Sequence, residues 1–311
     1  MAEEPGVARG PVGGRLRRRL SPVKRGATQP GPSGRVVLAS METSPRHARA
    51  FKPRYSELDD RGETTPTAMM GLFEDAAFSH CEDTGWDVFR LRDSGFGWIL
   101  LEGGFEMSRY PRYKEPFTVE TWLSGARAFY GLRGFEVKDG SGAAIGRARS
   151  LWVFYDLERR RPAPVLPEIL AAWRPDPLVV PSRGQGGVAA GGEPVGLPPG
   201  SPSSFDVRAL DIDTNGHVNN VRYLEWALEA VPGNVREGAR LSAISGRFIQ
   251  EVVRGQSVTP VSERRAGSEG SSAIYRLAVY ASGPAGPVAA AGPASDEPAV
   301  AACASSSWTP R

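Results

Sequence analysis

The stretch DIDTNGHVNN, residues 211–220, carries side chains that can bind a metal ion or transfer a proton. Its acidic residues alternate, and a glycine stands at the sixth position, as in a calcium-binding loop. Such a loop also needs a bidentate Glu at position twelve and a helix before it. Position twelve is the cation Arg222, and the preceding SFDVRAL is typical of a strand. These two departures exclude an EF-hand.

The same stretch crowds five hydrogen-bonding side chains into eight residues between a predicted strand and a predicted helix: Asp213, Asn215, His217, Asn219 and Asn220. A capping turn built on Asp213 or Asn215 would explain the acidic part. However, caps need only one or two such side chains. A histidine beside a helix N-terminus also has donors nearby for an anionic oxygen. The density therefore favours an active site.

Elements of the same kinds recur in the same order before and after a segment rich in Pro and Gly. The first series opens with the predicted helix TTPTAMMGLFEDAAFSHCEDTG, with Thr65 as its N-cap, Pro66 at its first position and Gly85 as its stop. The apolar face of this helix is predicted to carry Met69, Leu72, Phe73, Ala76 and His80.

Strand-like segments follow each predicted helix. In the first series they are GWILLEGGFEM, FTVETWLSG, YGLRGFEVKD and AIGRARSLWVFYDL. The second series has SFDVRAL, the helix VNNVRYLEWALEAVPG, and then ISGRFIQEVV, SVTPVSERR, AIYRLAVYA and AACASSSWTP. An offset of roughly 150 residues is too long for a solenoid repeat. The pattern predicts a duplicated α+β domain, with each sheet curling around its helix and the two sheets side by side.

Composition divides the chain into a disordered leader (1–47), a first domain (48–157), a linker with one short helix at PEILAAW (158–203) and a second domain (204–311). In the leader, Arg15–Arg25 is basic and contains no acidic residue. The leader is therefore read as a disordered tail, a misassigned start, or an organellar transit peptide.

The 311-residue chain is 40% hydrophobic and has a net charge of +3, with much of the excess in the leader, so composition gives no indication of nucleic-acid binding. Cys81 and Cys303 supply neither a disulfide framework nor a zinc ligand set. No apolar run approaches the roughly 18 residues of a membrane span. We expect no metal and no cofactor.

The segment LDIDTNGHVNNVRYLEWALEAVP resembles the signature of the acyl-acyl carrier protein thioesterases, a family with plant plastid and bacterial branches. RYPRYKEPFTVETW and RSLWVFYDLERRRP resemble its amino-terminal repeat, and the likeness runs from about Phe51 to Trp308. The resemblance implies a tandem hot-dog fold, in which an antiparallel sheet wraps each of two central helices. It also implies hydrolysis of acyl-carrier-protein thioesters, which releases free fatty acid and terminates chain elongation.

The resemblance places the catalytic residues on Asp213, Asn215, His217 and Glu251. Glu251 or Asp213 would activate water or attack directly, Asn215 would orient the carboxylate or the water, and His217 would donate to the developing charge or shuttle the proton. The cysteine of the plant enzymes falls on Val252, which argues against thiol catalysis and favours the bacterial branch.

The implied partner is acyl carrier protein, with the acyl chain on its phosphopantetheine arm. The resemblance places the acyl-chain pocket in the first hot-dog, beside Met69, Met70, Phe73 and Ala76, or Trp98, Ile99 and Leu100. A basic cluster of Arg109, Arg112 and Lys114 would meet the acidic carrier, or is a solvated turn.

Hot-dog folds commonly dimerise, so the resemblance is compatible with a homodimer, and the sequence leaves the oligomeric state open. The expected compartment is the bacterial cytoplasm, or a plastid if the leader is a transit peptide. Three alternatives remain at this point: an acyl-CoA thioesterase, a hot-dog dehydratase, and a catalytically silent acyl-binding protein.

Overall fold

The computed structural model of the chain describes residues 45–187, 194–198, 203–265, 272–283 and 298–311. Of the predicted leader, residues 1–44 lie outside the described residues, as do parts of the predicted linker. No helix in these ranges is both long enough and apolar enough to cross a bilayer.

The first half contains the predicted long helix and the strands that follow it. Its elements and those of the connecting segment are β1 (His47–Phe51), α1 (Pro66–Asp83), α2 (Val88–Asp93), β2 (Phe96–Met107), β3 (Phe117–Arg127), β4 (Tyr130–Asp139), β5 (Ala144–Asp156), β6 (Arg161–Pro162) and α3 (Pro167–Trp173). Helix α1 begins as predicted, because Oγ1 of Thr65 accepts the N–H of Ala68 at 3.1 Å. Its predicted apolar face is buried.

The second half repeats this series. Its elements are β7 (Phe205–Asp206), α4 (Asn220–Glu229), α5 (Gly233–Gly238), β8 (Ala239–Phe248), β9 (Ser257–Arg264), β10 (Ala273–Ser282) and β11 (Ala299–Pro310). Two expectations are wrong in detail. The predicted strand SFDVRAL is reduced to the two residues of β7, because Ala209–Asp211 forms a 3-10 turn. Strand β8 ends at Phe248, so Glu251 lies in the irregular segment after the strand and not in the strand itself.

The strands form one antiparallel sheet in the order β1-β3-β4-β5-β2-β8-β11-β10-β9-β7, with β6 paired to β5. The order from β1 to β2 matches the order from β7 to β8, element for element, as duplication requires. The two sheets expected side by side are continuous, because β2 pairs with β8. At this join, a Cβ on Gly104 would lie 2.5 Å from the carbonyl oxygen of Ile244, so only glycine allows the close approach.

Helices α1 and α4 share one apolar core against the sheet. Met69 and Phe73 of α1 and Leu224 and Ala227 of α4 belong to the same buried cluster. The burial of these side chains stabilises both helices on the sheet and fixes the loops that precede them.

Candidate active site

Asp213 organises a tight turn ahead of helix α4. Its Oδ1 accepts the backbone N–H groups of Asn215 at 2.8 Å and His217 at 3.3 Å, and its Oδ2 accepts Nδ2 of Asn215 at 3.2 Å. The N–H of Asp213 donates to the carbonyl of His217 at 2.8 Å. Gly216 supplies the φ of +83° that the turn requires. The carboxylate of Asp213 is thus occupied by three hydrogen bonds within the turn.

The imidazole of His217 faces the carboxylate of Glu251. Nε2 of His217 lies 3.5 Å from Oε2 of Glu251, and the two side chains are 24% and 32% exposed. Oε2 itself is shut off from solvent and accepts no hydrogen bond from any described residue. A buried acceptor without a donor is costly, so this oxygen is ready to bind a substrate or water proton.

The phenol of Tyr223 holds Glu251 in place. Its hydroxyl accepts the N–H of Val252 at 2.8 Å and donates to the carbonyl of Gln250 at 3.3 Å. The carbonyl of Val252 in turn accepts the N–H of Val218 at 2.8 Å, which ties this segment to the loop of His217. Burial raises the pKa of Tyr223, so the phenol stays protonated. Sequence reasoning missed this positioning role of Tyr223.

Asp211 anchors the start of the loop from inside the protein. The backbone N–H, Nε and a terminal nitrogen of Arg208 donate to its carboxylate at 2.8, 3.1 and 2.8 Å, and Nε of Arg222 lies 3.8 Å away. Burial pushes the pKa of Asp211 upward, but these bonds and the charge of Arg222 outweigh it and leave the pKa below its usual value. Arg222 therefore lies between Asp211 and Glu225 of α4, to whose Oε2 it donates at 2.5 Å, and serves as a structural anchor.

Helix α4 is capped by Asn219, whose Oδ1 accepts the N–H of Val221 at 2.7 Å. Nδ2 of the same side chain donates to Oε2 of Glu74, on α1 of the first half, at 3.4 Å. Burial raises the pKa of Glu74 to about 7; the bond from Asn219 lowers it and the charge of Asp213 raises it further. The site is thus composed of residues from both halves.

Glu74 was not among the residues predicted from the sequence. The available signal was an acidic residue directly after Phe73, on the flank of a predicted apolar helix face. Asn220, the last of the five hydrogen-bonding side chains in the stretch, is the first residue of α4. All four predicted catalytic residues gather here, with Asp213, Asn215 and His217 in one turn and Glu251 opposite.

The thiols of the chain are buried. Cys81 lies in α1 and Cys303 in β11, and burial raises the pKa of Cys81. Val252, on which the resemblance places the plant cysteine, is fully buried. Among the described residues, no three His, Cys, Asp or Glu side chains form a group that could hold a metal ion.

Two sequence models of one family match the chain. The model described as the acyl-ACP thioesterase N-terminal domain matches residues 45–173, and that of the acyl-ACP thioesterase C-terminal domain matches residues 200–285. Together they account for well over half of the chain.

Curated plant proteins are distant relatives. The chain is 25% identical over 248 residues to a chloroplastic acyl-[acyl-carrier-protein] hydrolase of Cuphea viscosissima, which covers 73% of this chain and 57% of that protein. It is 27% identical over 238 residues to the chloroplastic palmitoyl-acyl carrier protein thioesterase of Gossypium hirsutum, which covers 68% and 54%. The chain therefore spans less than two thirds of the length of these relatives.

Solved structures share the architecture. An acyl-ACP thioesterase from Bacteroides thetaiotaomicron superposes with a TM-score of 0.66 at 22% identity, over 85% of this chain and 97% of that one. The 12:0-ACP thioesterase from Umbellularia californica gives a TM-score of 0.66 at 20% identity, over 86% and 98%. At these identities the likeness establishes the fold, and it confirms the predicted α+β double hot-dog.

Proposed function

The chain belongs to the acyl-ACP thioesterase family, and from this premise we propose that it hydrolyses the thioester between an acyl chain and acyl carrier protein. The products are a free fatty acid and the carrier with its thiol restored. The observation that supports this most directly is the pair formed by Glu251 and His217, whose side chains approach to 3.5 Å. The pair lies beside the Asp213 turn, which exposes the amide side chain of Asn215.

The geometry favours Glu251 over Asp213 as the base. The carboxylate of Asp213 already accepts three hydrogen bonds, so its role is to hold the turn. Oε2 of Glu251 accepts none among the described residues. A carboxylate with an open lone pair beside a histidine can take a proton from water as that water attacks the thioester carbon.

Asn215 and His217 act on the tetrahedral intermediate that forms when water attacks the thioester. The amide nitrogen of Asn215 carries two hydrogens and gives one to Asp213, so the second can face the developing oxyanion. The tetrahedral intermediate then expels the thiolate as the C–S bond breaks. The proton that Glu251 took from water reaches the sulfur directly or through His217, which balances the reaction.

The acyl chain is proposed to enter the first hot-dog beside α1. Met69, Phe73 and Ala76 lie in the core there, each at most 6% exposed. An acyl chain would therefore need side chains to move aside, and the unbranched Met69 and Met70 are suited to this because methionine repacks readily. The pocket in the first hot-dog remains a prediction.

The carrier protein is the proposed partner, but the predicted basic cluster is largely neutralised. Arg109 pairs with Glu115 and Asp139, both at 2.7 Å, and Arg112 pairs with Glu63. Only Lys114 of the three remains without a carboxylate among the described residues. We therefore assign this cluster at most a minor part in docking the carrier.

The compartment is inferred from two features of the sequence that point in different directions. Val252 in place of the plant cysteine supports a bacterial cytoplasmic enzyme. The basic segment Arg15–Arg25 supports the plastid alternative. A fluorescent reporter that carries residues 1–44 separates them, since a transit peptide directs the reporter into isolated plastids.

A panel of acyl-carrier-protein thioesters of varied chain length, with matched coenzyme A thioesters, tests the function. We expect free fatty acid from the carrier-bound substrates at a higher kcat/KM than from the coenzyme A thioesters. Equal or faster turnover of the coenzyme A series would reassign the substrate. Conversion of a 3-hydroxyacyl substrate into an unsaturated acyl thioester, with loss of water, would reveal a dehydratase. Binding of the acyl thioesters without turnover would reveal a catalytically silent protein.

A further inference from the structure

The catalytic turn has a counterpart in the first half, built from the same hydrogen bonds. The N–H of Asp59 donates to the carbonyl of Glu63 at 2.8 Å, as Asp213 does to His217. Oδ1 of Asp59 accepts the N–H groups of Arg61 at 3.0 Å and of Glu63 at 2.9 Å. Each turn contains a glycine with a positive φ, which is +74° for Gly62 in the first half and +83° for Gly216 in the second. The duplication thus copied the active-site loop as well as the fold.

The following segments also correspond. The carbonyl of Pro111 accepts the N–H of Thr64 at 2.8 Å, as the carbonyl of Val252 accepts that of Val218 at 2.8 Å. Three candidate catalytic residues are replaced at the corresponding positions: Asn215 by Arg61, His217 by Glu63, and Glu251 by Tyr110. The first-half copy therefore lacks the groups proposed for hydrolysis.

A cavity of about 410 Å³ opens beside this copied turn. It is lined by Arg61, Glu63, Arg112, Arg240, Pro310 and Arg311. Two of these arginines are partly neutralised, because Glu63 pairs with Arg112 at 3.2 Å and with Arg311 at 3.1 Å. Arg311 also contacts Asp59 at 3.4 Å.

The other two arginines have no carboxylate partner within the described residues. Arg61 donates to the backbone carbonyl of Glu237. Nε of Arg240 is shielded from solvent and has no hydrogen-bond acceptor among the described atoms. Tyr110 adds no negative charge, since burial raises the pKa of its phenol and its hydroxyl donates to the carbonyl of Leu241 at 2.8 Å. The lining thus has an excess of positive charge and a buried donor without a partner.

We propose that this cavity binds a phosphorylated small molecule, with Arg240 and Arg61 as its principal ligands. Guanidinium groups present paired N–H donors that match phosphate oxygens, and a buried donor without an acceptor gains most from such a partner. Cavities that hold small ligands span roughly 300–1,000 Å³, so the space suits a diphosphate or a nucleotide-sized ester. The site corresponds to the catalytic one by duplication but binds an anion and performs no hydrolysis.

Isothermal titration of the full-length chain with inorganic pyrophosphate tests the proposal without any activity assay. We expect a Kd of about 1 mM or tighter at low salt, and at least a tenfold loss in both Arg240→Met and Arg61→Met. Arg276→Met is the matched control, because it removes one cation from β10 at an ion pair with Glu263. Its Kd should stay within about twofold of the wild-type value. That change is well below the tenfold loss, about 1.4 kcal/mol of binding free energy, expected for the two cavity variants.

Two further titrations identify the source of the phosphate. If 4′-phosphopantetheine binds more tightly than pyrophosphate, the natural ligand is the arm of the carrier protein. If adenosine 3′,5′-bisphosphate binds more tightly than pyrophosphate, the natural ligand is a free nucleotide. Because Arg61 is exposed, Arg61→Met decides the matter if Arg240→Met does not fold. No heat of binding by pyrophosphate, or equal losses in Arg61→Met and Arg276→Met, would overturn the proposal and leave only attraction to a positively charged chain.

Discussion

Oε2 of Glu251 lies 3.5 Å from Nε2 of His217, although one residue follows β8 and the other precedes α4. The two segments are held together by the bond from the N–H of Val218 to the carbonyl of Val252 and by the hydroxyl of Tyr223. The catalytic pair proposed here therefore depends on backbone contacts as much as on its own side chains.

Replacement of Glu251 by Gln tests the base. The amide keeps the size and the hydrogen bonding but removes the basicity, so we expect kcat to fall roughly 10²- to 10⁴-fold, the usual range for general acid–base groups. The kcat of His217→Ala should fall by at least the same factor. Single-turnover hydrolysis of an acyl-carrier-protein thioester measures the loss, and a melting curve confirms that the protein is folded.

The control for that substitution is Glu229→Gln, which changes a glutamate paired with Arg236 at the other end of α4. It should leave kcat unchanged. A Glu251→Gln enzyme with nearly wild-type kcat would remove Glu251 from the mechanism and leave Asp213 as the base. Asp213→Asn should lower both kcat and Tm, because its amide would face the amide of Asn215 donor to donor.

Tyr223→Phe should lower activity and stability together. Without the hydroxyl, the N–H of fully buried Val252 loses its acceptor, which costs about 1–3 kcal/mol. The backbone on both sides of Glu251 is released at the same time, so kcat should fall while KM changes little. Denaturant titration gives the free energy of unfolding, and steady-state kinetics gives the split between kcat and KM.

Tyr280→Phe provides the comparison for Tyr223. It also removes a buried phenol hydroxyl, which donates to the carbonyl of Val195 at 2.6 Å. A similar loss of stability with unchanged kcat is expected for this variant. If both variants lose only stability, Tyr223 has no special part in placing Glu251.

Glu74→Gln should change the pH dependence of stability. Because burial raises the pKa of Glu74 from 4.5 to about 7, the folded state holds this proton more tightly than the unfolded state. The stability that the neutral carboxyl contributes is full below pH 4.5 and is lost as the pH rises through 7. We therefore expect Glu74→Gln to match the wild type near pH 4.5 and to exceed its stability at pH 8, by at most about 3 kcal/mol.

Melting temperatures between pH 4.5 and 8.5 measure this difference. Glu82→Gln, at an exposed position on the same helix, is the control. Its melting temperature should differ from that of the wild type by a constant amount across the pH range. A constant difference between Glu74→Gln and the wild type across the whole range would show that Glu74 does not titrate there.

The double variant Cys81→Ala/Cys303→Ser should keep most of the activity. The resemblance places the plant cysteine on Val252, and both thiols of the chain are buried. Iodoacetamide should consequently inhibit only weakly, as judged by residual hydrolysis after alkylation. Stoichiometric inactivation with protection by substrate would contradict this expectation.

Much of the local structure could be predicted from the sequence, because it depends on neighbours along the chain. The cap at Thr65, the apolar face of α1 and the strands after it follow from short-range patterns, and the structure confirms them. The Asp213 turn is likewise local. The resemblance supplied Glu251 but placed it in a strand, since the pattern does not show that β8 ends at Phe248.

Contacts between the halves could not be predicted in this way. Glu74 reaches Asn219 only because the two helices share a core, and no spacing in the sequence relates them. Tyr223 resembles an ordinary packing residue, because the two groups that its hydroxyl bonds are backbone atoms whose positions only the fold determines. Burial raises the pKa of Glu74, and the charge of Asp213, which lies in the other half, adds to this effect.

The pairing of β2 with β8 ties the melting of one half to the melting of the other. Gly103 lies opposite Gly246, and Gly104 packs against the backbone of Ile244, so the two strands approach closely at this seam. Opening one half would expose the edge of β2 or β8 and half of the shared core. Calorimetry should therefore record one heat-absorption peak with equal calorimetric and van't Hoff enthalpies, which two resolved peaks would contradict.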